Sequence, residues 1–460
     1  MAQSKNLEYD ISENALRKET FLLVLLALSI MIVTMNTTMF NVALPLITKE
    51  YGMSAPASSW IVTGYSILFA ISSITFSRLS DFVPIRRLFI LSLSILSAVS
   101  IVGLFSDSYP MLLLVRLLQA AVAGAIPSLC LVFTSRYIPV RRRGKFVVNL
   151  IAAVSLGLGL GPVVAGVIIE DWNWQDLFFV TAAPLILIPF LAMELPREQP
   201  EKGTFDIFGA ILIGIGTTGL LMFVTNDYWI ALFVGLCALF LFVVHIFKNR
   251  DPFIQPKLFR HRTYLTLVAI GVAAYMCNFA NLFLMPQVLI NLHGLSTISA
   301  GLIIFPGALV SVLLPRLAGK RLERLGNAMM ICIFSFMMLA STILFALFAS
   351  HSYMAILFIY MLMSTGFTFV TGAVSNEVSQ QIEHRLVGSG MGLLQLLQFF
   401  SGAFGVGITA KFMSWQKEVP FGQVYSHVYW GMLALVILAI VLISMYLLQN
   451  RAKIKAVGER

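Results

Sequence analysis

Long apolar segments alternate with short polar loops along almost the whole chain. Fourteen of these segments have about the twenty residues that a helix needs to cross the ~30 Å hydrocarbon core of a bilayer. The pattern therefore predicts an all-α integral membrane protein with fourteen transmembrane helices. We number the predicted spans 1 to 14 as Phe21–Ile47, Ser58–Phe76, Leu88–Phe105, Tyr109–Phe133, Phe146–Ile168, Trp174–Met193, Phe205–Val224, Tyr228–Ile246, Leu265–Ile290, Ser299–Leu314, Ala328–Phe348, Tyr353–Val374, Gly388–Met413 and His427–Leu448.

Basic residues divide unequally between the loops on the two sides of the membrane. With the N-terminus placed inside, three of the 31 Lys and Arg residues lie in outer loops or at the outer end of a span, one lies in the middle of a span, and the other 27 lie in inner loops and tails. Positive charge collects on the cytoplasmic side of membrane proteins. The distribution therefore predicts that both termini are cytoplasmic.

Composition excludes several classes of function. Hydrophobic residues make up 59% of the chain and charged residues 11%, which is not typical of a soluble domain. The net charge of +10 is explained by basic inner loops that face an anionic leaflet, so we expect membrane lipid and no nucleic acid as a partner. The four cysteines all fall within spans and lack metal-ligand spacing, so we expect neither a metal site nor a disulfide.

Motifs for hydrolysis and covalent catalysis are missing from the sequence. It contains no GxxxxGK[ST] phosphate loop, no HExxH helix and no GxSxG turn. We therefore expect that the chain is not an enzyme, that it holds no cofactor, and that it moves a small-molecule substrate along or against a gradient.

Two inner loops look related. Asp81 is followed by Arg86 and Arg87 after span 2, and a similar basic-acidic-basic turn, Pro315–Gly326, follows span 10, which indicates duplicated bundles. The first loop resembles the GxLxDxxGRR loop of the major facilitator superfamily. Such a loop forms a charge clasp, in which an aspartate at a helix end pairs with arginines of a neighbouring helix in one conformation only. The predicted clasp comprises Asp81, Arg86, Arg87, Arg142 and Arg143; the alternative is a solvated basic loop.

Other motifs of the superfamily occur in order along the chain. Residues 116–124 resemble RxxQGxGxA, and residues 157–166 resemble the antiporter motif GxxxGPxxGG. Asn41–Pro45, Trp60 and Tyr65 resemble the start of the 14-helix drug:proton antiporter branch. Further stretches, including 205–207, 251–253 and 303–307, are most similar to the Gram-positive tetracycline exporters of that branch.

The resemblance implies an architecture and a location. The family's fold has two six-helix bundles with two helices inserted between them, in a bacterial cytoplasmic membrane. On this chain the implied parts are a cytoplasmic tail (1–19), an N-terminal bundle (20–193), two inserted helices (205–246), a C-terminal bundle (265–448) and a second cytoplasmic tail (449–460).

Arg116 is the one basic residue in the middle of a span. An intramembrane charge is costly and indicates function by default. Gln119 lies three residues further on, on the same helix face, where its carbonyl oxygen can accept from the guanidinium. In the family an arginine here is implicated in proton or substrate traffic. The alternative is a structural role, in which Arg116 ties neighbouring helices together.

Glycines recur along span 5 and predict close helix packing. Small residues let membrane helices approach closely, and a proline removes a backbone hydrogen bond and bends the helix. Both features suit a helix that slides against or seals a pore, although membrane helices tolerate Gly and Pro generally. The residues of this predicted seam are Gly157, Gly161, Pro162 and Gly166.

Polar side chains that are unexpected in lipid mark a candidate cavity. Buried amides need partners, either on other helices or on a ligand. The alternative role for each is to join two helices. The candidate cavity residues are Asn36, Thr37, Asn41, Tyr65, Asn149, Asn278, Asn281, Gln395 and Gln398.

The chain lacks the carboxylates of its proton-coupled relatives. Asn36, Thr37, Leu158 and Gly402 stand at positions where the resemblance places acidic residues. A proton antiporter needs a group that gains and loses a proton, and a cationic drug needs a counter-charge. We therefore expect neutral, zwitterionic or anionic substrates, and coupling that is weak or uses Asp81 or Asp227.

Three functions fit these patterns. The first is a secondary exporter of amphipathic small molecules, tetracycline-like or multidrug, driven by a proton gradient, and the substrate of such an exporter can carry a divalent metal. The second is a facilitator-fold transporter of a neutral or anionic metabolite or lipid with atypical or no proton coupling. The third is a relative that binds a ligand without transporting it. The sequence does not reveal the oligomeric state.

Overall fold

The computed structural model describes residues 2–80, 83–196, 198, 206–248, 254–322, 326–382, 387–416 and 418–458. Within these residues it contains α-helices, short 3₁₀ and π turns, and no strands. Fourteen helical segments of the described chain are long and apolar enough to cross a membrane, which confirms the predicted number of spans. Because that number is even, both ends of the chain lie on the same side.

The helices of the fourteen spans have the following bounds. They are Ala2–Glu50 (span 1), Ala55–Leu79 (2), Ile85–Gly103 (3), Tyr109–Ala123 with Ala125–Tyr137 (4), Val140–Asp171 (5), Leu177–Ala182 with Ile188–Glu194 (6), Ile207–Asn226 (7), Trp229–Lys248 (8), Arg262–Gln287 (9), Thr297–Leu322 (10), Asn327–Phe348 (11), Tyr353–Gln381 (12), Val387–Trp415 (13) and Phe421–Gly458 (14).

Polar side chains begin several of these helices. Ser54 and Ser352 precede spans 2 and 12, and each accepts a hydrogen bond from a backbone N–H of the first turn. Asp206 does the same for span 7, where Gly209 N lies 2.9 Å from Asp206 Oδ1. Such caps satisfy N–H groups that have no partner within the helix. They fix where each helix starts at the membrane surface.

Span 6 is irregular. Two short α-helices are joined by a 3₁₀ turn, Ala183–Ile186, and Pro184 and Pro189 lie at the junctions. Proline has no backbone N–H and cannot continue a hydrogen-bonded α-helix without a break. The prediction of one continuous span 6 was correct in extent and missed this internal break.

The most extensive contacts between the predicted bundles run along two pairs of spans. Span 5 packs against span 1 on one side and span 10 on the other, and span 2 packs against span 13. Spans 7 and 8 pair with each other as a hairpin, and span 7 also contacts spans 2 and 13. We call spans 7 and 8 the inserted hairpin. Span 4, which carries Arg116, packs against spans 2 and 3 inside the N-terminal bundle.

Candidate functional site in the N-terminal bundle

Arg116 is fully buried in the middle of span 4. Its Nη1 donates to Asn36 Oδ1 at 2.5 Å and to Gln119 Oε1 at 3.0 Å, and its Nη2 donates to the Asn36 carbonyl oxygen at 3.4 Å. The Gln119 bond follows from the three-residue spacing along the helix, as the sequence predicts. The Asn36 bonds join span 4 to span 1.

Two aromatic rings enclose the guanidinium. The Cζ atom of Arg116 lies 4.0 Å from the ring centre of Phe40 and 4.1 Å from that of Tyr65. Asn36 Nδ2 donates to the Tyr65 hydroxyl at 3.3 Å, so the second ring is itself held in place. Cation–π contacts are worth about 2 kcal/mol or more each when they are shielded from water. The two rings thus stabilise a charge that would otherwise be costly in this interior.

The hydrogen bonds continue from Gln119 into two further spans. Gln119 Nε2 donates to Ser100 Oγ at 2.7 Å and lies 3.2 Å from Thr181 Oγ1. Thr181 Oγ1 also donates to Ser100 Oγ at 2.9 Å. One connected set of side chains therefore joins spans 1, 2, 3, 4 and 6. We call Asn36, Tyr65, Ser100, Arg116, Gln119 and Thr181 the Arg116 network.

Acidic side chains are absent from this network. Among the described residues, the buried charged side chains are Arg116 and Glu377, and Glu377 lies at the end of span 12 in the C-terminal bundle. None of the ion pairs in that part of the chain involves Arg116, and its Nε has no hydrogen-bond partner. The network therefore holds a positive charge that amide oxygens and aromatic rings stabilise without a counter-charge.

The glycines of span 5 contact two different helices. A methyl group at Gly157 would overlap Thr34 Oγ1 of span 1, and one at Gly159 would overlap the Ala308 β-carbon of span 10. Gly161 and Gly166 repeat the alternation, towards Thr38 and Ile298. Pro162 lies within the continuous helix Val140–Asp171. One face of span 5 thus packs closely on span 1 of its own bundle, and the adjacent face packs closely on span 10 of the other bundle.

Part of the predicted clasp lies outside the described structure. Asp81 and the side chain of Arg143 are not described, and Arg86 and Arg87 occupy the first turn of span 3. Arg142 Nη1 lies 2.7 Å from Glu19 Oε2, so span 5 pairs with span 1 at the inner side. The clasp therefore stays a prediction.

A second acidic residue at this inner surface was not singled out from the sequence. Glu198, which follows span 6, accepts from the Ile85 backbone N–H at 2.6 Å and from the Tyr137 hydroxyl, and its Oε1 lies 3.6 Å from Arg136 Nη1. Burial, together with the hydrogen bond and the negative charge of Glu198, raises the pKa of Tyr137 to about 12, so the hydroxyl stays protonated and donates. Glu198 thus ties spans 3, 4 and 6 together. The only feature of the sequence that could have identified Glu198 is its position as a carboxylate among basic loop residues.

Asp227 lies at the protein surface and not in the interior, where a buried proton carrier would lie. It ends span 7 with a left-handed backbone (φ 59°), its side chain is 64% exposed, and it pairs with Lys411 of span 13. At the opposite end of the inserted hairpin, Asp206 Oδ1 lies 2.7 Å from His245 Nε2. Asp227 and Lys411 therefore form an ion pair at the outer surface, and this pair joins the inserted hairpin to the C-terminal bundle.

The predicted cavity residues divide between two environments. Asn281 Oδ1 accepts from the Tyr429 hydroxyl of span 14 at 2.9 Å, and Gln398 Nε2 packs on Gly271 of span 9, so both amides point into the C-terminal bundle. Gln395 is partly exposed, and Asn278 is 3% exposed.

The predicted cavity residues of the N-terminal bundle that lie outside the Arg116 network have different environments. Thr37 Oγ1 donates to the Thr34 carbonyl oxygen, Asn41 is buried with an unpaired Oδ1, and Asn149 is partly exposed.

A cavity of about 1090 Å³ lies away from these polar residues. It is a groove between span 2 and the inserted hairpin, lined mainly by apolar side chains such as Ile71, Ile211 and Ile215. Ile211 and Ile215 are among the exposed large hydrophobic residues of the chain. In a membrane this groove faces lipid, so we do not assign the Arg116 chemistry to it. No group of three or more His, Cys, Asp or Glu side chains in the described part of the chain is placed to hold a metal ion.

Comparisons with known proteins agree with this architecture. The family model of the Major Facilitator Superfamily matches residues 26–406. The riboflavin transporter RibZ of Clostridioides difficile (strain 630) is 24% identical over 406 residues, which cover 87% of this chain and 89% of that protein. The multidrug resistance protein Stp of Mycobacterium tuberculosis (strain CDC 1551 / Oshkosh) is 22% identical over 415 residues, which cover 86% and 76%.

Solved transporter structures share the fold. A bacterial homologue of the human lysosomal transporter Spinster, in an inward-facing and unoccupied conformation, matches with a TM-score of 0.65 at 13% identity, covering 95% of this chain and 98% of that one. The human organic anion transporter MFSD10 (TETRAN) matches with a TM-score of 0.65 at 16% identity, covering 92% and 98%. Together with the family match, which covers most of the chain, these likenesses show that this multi-pass membrane protein is a transporter of the Major Facilitator Superfamily.

Proposed function

We propose that the protein is a secondary active exporter of amphipathic small molecules that works by alternating access and proton antiport. Its membership of the superfamily supports transport. A relative named as a multidrug resistance protein, and the resemblance of spans 1, 4 and 5 to the drug:proton antiporter branch, support efflux. The bacterial relatives support a place in a bacterial cytoplasmic membrane.

The observation that carries this proposal is the Arg116 network. A fully buried cation that contacts spans 1, 2 and 4 directly, and spans 3 and 6 through Gln119, is sensitive to any relative movement of these helices. Its charge also acts on whatever enters between the bundles, because electrostatic interactions are strong in a low-dielectric interior. Substrates without a positive charge are favoured on this ground.

Proton coupling needs a titrating group, and we propose Asp81 or Asp227 for this role. Asp227 is accessible from the outer side, and its partner Lys411 is only 12% exposed. A proton that neutralises Asp227 weakens the ion pair between span 7 and span 13. Protonation is thereby linked to the contact between the inserted hairpin and the C-terminal bundle.

A second function is favoured by the missing carboxylates. No acidic side chain of the described residues accompanies Arg116 in the N-terminal core, and a relative at similar identity is named as a riboflavin transporter. The alternative is therefore a transporter of a neutral or anionic metabolite or lipid with atypical or no proton coupling. A divalent metal carried by the substrate is compatible with either function.

Everted membrane vesicles that hold a pH gradient test the proposal. Tetracycline with Mg²⁺ is added first, followed by neutral, anionic and cationic drugs, while a pH-sensitive dye reports the gradient. We expect at least one substrate without net positive charge to release protons from wild-type vesicles and not from Arg116→Ala vesicles. Uptake of labelled substrate that does not depend on the gradient would instead support the second function.

The coupling residues are tested in the same vesicles. We expect the double variant Asp81→Asn, Asp227→Asn to retain downhill flux and to lose uphill transport. Asp206→Asn is a matched control, because this carboxylate caps span 7 at the opposite membrane surface. Uphill transport in the double variant at the wild-type rate would exclude both aspartates as proton carriers.

A further inference from the structure

The groove beside the inserted hairpin runs through the full thickness of the membrane. Span 7 lines it from Ile207 at the inner end to Asp227 at the outer end. Twenty residues of α-helix rise roughly 30 Å, which matches the hydrocarbon core. Span 2 lines the inner half with residues between Leu68 and Thr75, and span 8 lines the outer half with residues between 228 and 234. The outer half therefore lies on the hairpin itself.

Small residues give this groove its depth. Ala210, Gly214 and Thr218 follow one another at four-residue intervals on one face of span 7, and all three line the groove. Span 8 contributes Ala231 in the outer half. A β-carbon on Gly219 would lie 2.5 Å from the Ala231 carbonyl oxygen, so the two helices of the hairpin touch beneath the groove. The groove is thus a recess on the lipid-facing surface of a closely packed helix pair.

The dimensions of the groove favour a chain-shaped occupant. Its volume of about 1090 Å³, spread over roughly 30 Å, gives a mean cross-section of roughly 36 Å². An α-helix with its side chains is about 10–12 Å wide, which corresponds to a cross-section of roughly 80–110 Å². A helix of a second copy therefore cannot enter the groove along its length, whereas a hydrocarbon chain, which is one methylene wide, can.

The outer end of the groove is polar and accessible. Asp227, Tyr228 and Trp229 line it, and their exposed fractions are 64%, 58% and 71%. Tyrosine and tryptophan are enriched at the level of the lipid headgroups, where their polar atoms reach water. The ammonium of Lys411 contacts Oδ2 of Asp227 and is only 12% exposed. The charge that a headgroup meets at this end is therefore the carboxylate.

The headgroup decides which lipid the groove prefers. Lipid tails in the surrounding bilayer are as apolar as the groove, so all tails of equal length fit it equally well. A carboxylate oxygen attracts a primary ammonium, and a charge-assisted hydrogen bond is stronger than a neutral one. The Tyr228 hydroxyl and the Trp229 indole N–H are donors that suit phosphate oxygens. An ethanolamine headgroup carries both an ammonium and a phosphate.

We propose that the outer half of the groove binds one phosphatidylethanolamine molecule of the outer leaflet. Its ammonium pairs with Oδ1 of Asp227, and its phosphate accepts hydrogen bonds from Tyr228 and Trp229. One acyl chain, which crosses half of the hydrocarbon core or roughly 15 Å, lies between Thr218 and Ala231. The assignment goes beyond the proposed function, because it does not depend on which solute the protein transports.

Native mass spectrometry of the purified full-length protein in a mild detergent tests this assignment. The protein is titrated with dioleoyl-phosphatidylethanolamine or with dioleoyl-phosphatidylglycerol. These two lipids share the same acyl chains, so a difference in affinity reports on the headgroup alone. We expect the first molecule of phosphatidylethanolamine to bind with a dissociation constant at least fivefold lower than that of phosphatidylglycerol.

Variants at the charged end test the headgroup contact. Asp227→Asn is expected to remove the preference, with the two dissociation constants within about twofold of each other, because the carboxylate that distinguishes the headgroups is gone. Asp107→Asn is the matched control. Asp107 is an exposed carboxylate in the outer loop between spans 3 and 4 and does not line the groove. This control is expected to keep the wild-type preference.

Variants along the apolar part locate the acyl chain. Ala231→Phe places a ring in the outer half of the groove and is expected to weaken binding of phosphatidylethanolamine at least fivefold. Leu236→Phe is its control on the same span, since Leu236 is 52% exposed and does not line the groove. We expect this control to bind phosphatidylethanolamine as the wild type does. If Ala231→Phe does not fold, the comparison of Asp227→Asn with Asp107→Asn still decides.

Three results would overturn the assignment. They are equal affinity of the wild type for the two lipids, equal effects of Ala231→Phe and Leu236→Phe, and a dimer mass that Ala231→Phe abolishes, which would give the groove to a second copy. The titration uses no pH gradient, so its outcome is independent of the proposed role of Asp227 in proton coupling. Lipid preference without proton release in vesicles would support the lipid site and contradict antiport, and the reverse pair of results would do the opposite.

Discussion

Arg116 has hydrogen-bond acceptors and rings around it but no counter-charge. Placing a guanidinium in a low-dielectric interior costs several kcal/mol unless its donors are satisfied. Here Asn36 and Gln119 satisfy Nη1, and the guanidinium lies over the rings of both Phe40 and Tyr65. Arginine suits this site because its charge is spread over a plane that can stack and donate at once. The free Nε leaves one donor without a partner.

A lysine at this position is predicted to be a poor substitute. Arg116→Lys keeps the charge, but a compact ammonium cannot fill the space between two rings and still reach both amide oxygens. Leaving a buried acceptor without a donor costs about 1–3 kcal/mol. We therefore expect a lower unfolding temperature in detergent and at least a tenfold lower initial rate of transport in vesicles.

A compensated variant separates stability from function. The double change Arg116→Met, Asn36→Leu removes both the charge and its main acceptor, and replacing buried polar partners by apolar groups is often neutral for stability. Its unfolding temperature is expected to return towards that of the wild type while transport stays lost. Transport by the double variant would instead mean that Arg116 has only a structural role.

At the scale of single helices, span 5 shows how the glycine positions of one motif are shared between two neighbours. Gly157 and Gly161 allow span 1 to approach, whereas Gly159 and Gly166 allow span 10 to approach. A helix with closely packed glycines on both sides can transmit a shift of one bundle to the other. Close packing of this kind depends on volume rather than on hydrogen bonds.

Moving one methyl group across this interface tests the packing. Gly159→Ala places a β-carbon 2.0 Å from the Ala308 β-carbon, which is far inside van der Waals contact, so we expect a strong loss of transport. The double variant Gly159→Ala, Ala308→Gly carries the same methyl group on the other helix and is expected to recover most of the rate. The initial rate of substrate transport in vesicles, at matched expression, measures both effects.

A matched glycine provides the control. A methyl group on Gly372 in span 12 would meet no described atom within 4 Å, so Gly372→Ala is expected to transport at the wild-type rate. If Ala308→Gly failed to restore Gly159→Ala, a cause other than overlap with span 10 would be responsible for the loss.

Local sequence features predicted the helices well. The length of each apolar segment and the side of each basic loop are properties of nearby residues, so the fourteen spans could be read without knowledge of packing. The break in span 6 was missed because membrane helices often continue through proline, as span 5 does at Pro162. The presence of a proline therefore does not by itself predict whether the helix of a span is interrupted.

The site could be predicted only in part. Arg116 and Gln119 were found because their types and spacing are unusual in lipid. Phe40, Ser100 and Thr181 were missed because such residues are common in any span, and only helix packing brings them to Arg116.

At the scale of the whole molecule, the inserted hairpin lies against both bundles at the outer side. Asp227 pairs with Lys411 of span 13, and Trp60 Nε1 of span 2 donates to Thr225 Oγ1 at 3.2 Å. Gly407 of span 13 also packs on span 7, where a β-carbon would lie 2.7 Å from Leu221. The hairpin therefore touches spans 2 and 13 next to the line where the bundles meet.

Alternating access moves spans 2 and 13 relative to each other, so the hairpin cannot keep both sets of outer contacts. Towards span 13 it has an ion pair and a closely packed glycine, whereas the described polar contact with span 2 is one hydrogen bond to Trp60. Separating the ion pair would leave the ammonium of Lys411, which is 12% exposed, without its counter-charge, and this costs more than losing one hydrogen bond. We therefore expect the hairpin to move with the C-terminal bundle.

Two cross-links test which bundle carries the hairpin, in a background without the native residues Cys130, Cys237, Cys277 and Cys332. A short bifunctional thiol reagent that joins Asp227→Cys to Lys411→Cys links parts that we expect to move together, so downhill transport, which does not need the Asp227 carboxylate, should continue. The same reagent between Trp60→Cys and Thr225→Cys links parts that we expect to separate, so transport should stop and return if a cleavable reagent is then cut. The reverse result would mean that the hairpin moves with span 2, and that the Asp227–Lys411 ion pair is the contact that must break in each cycle.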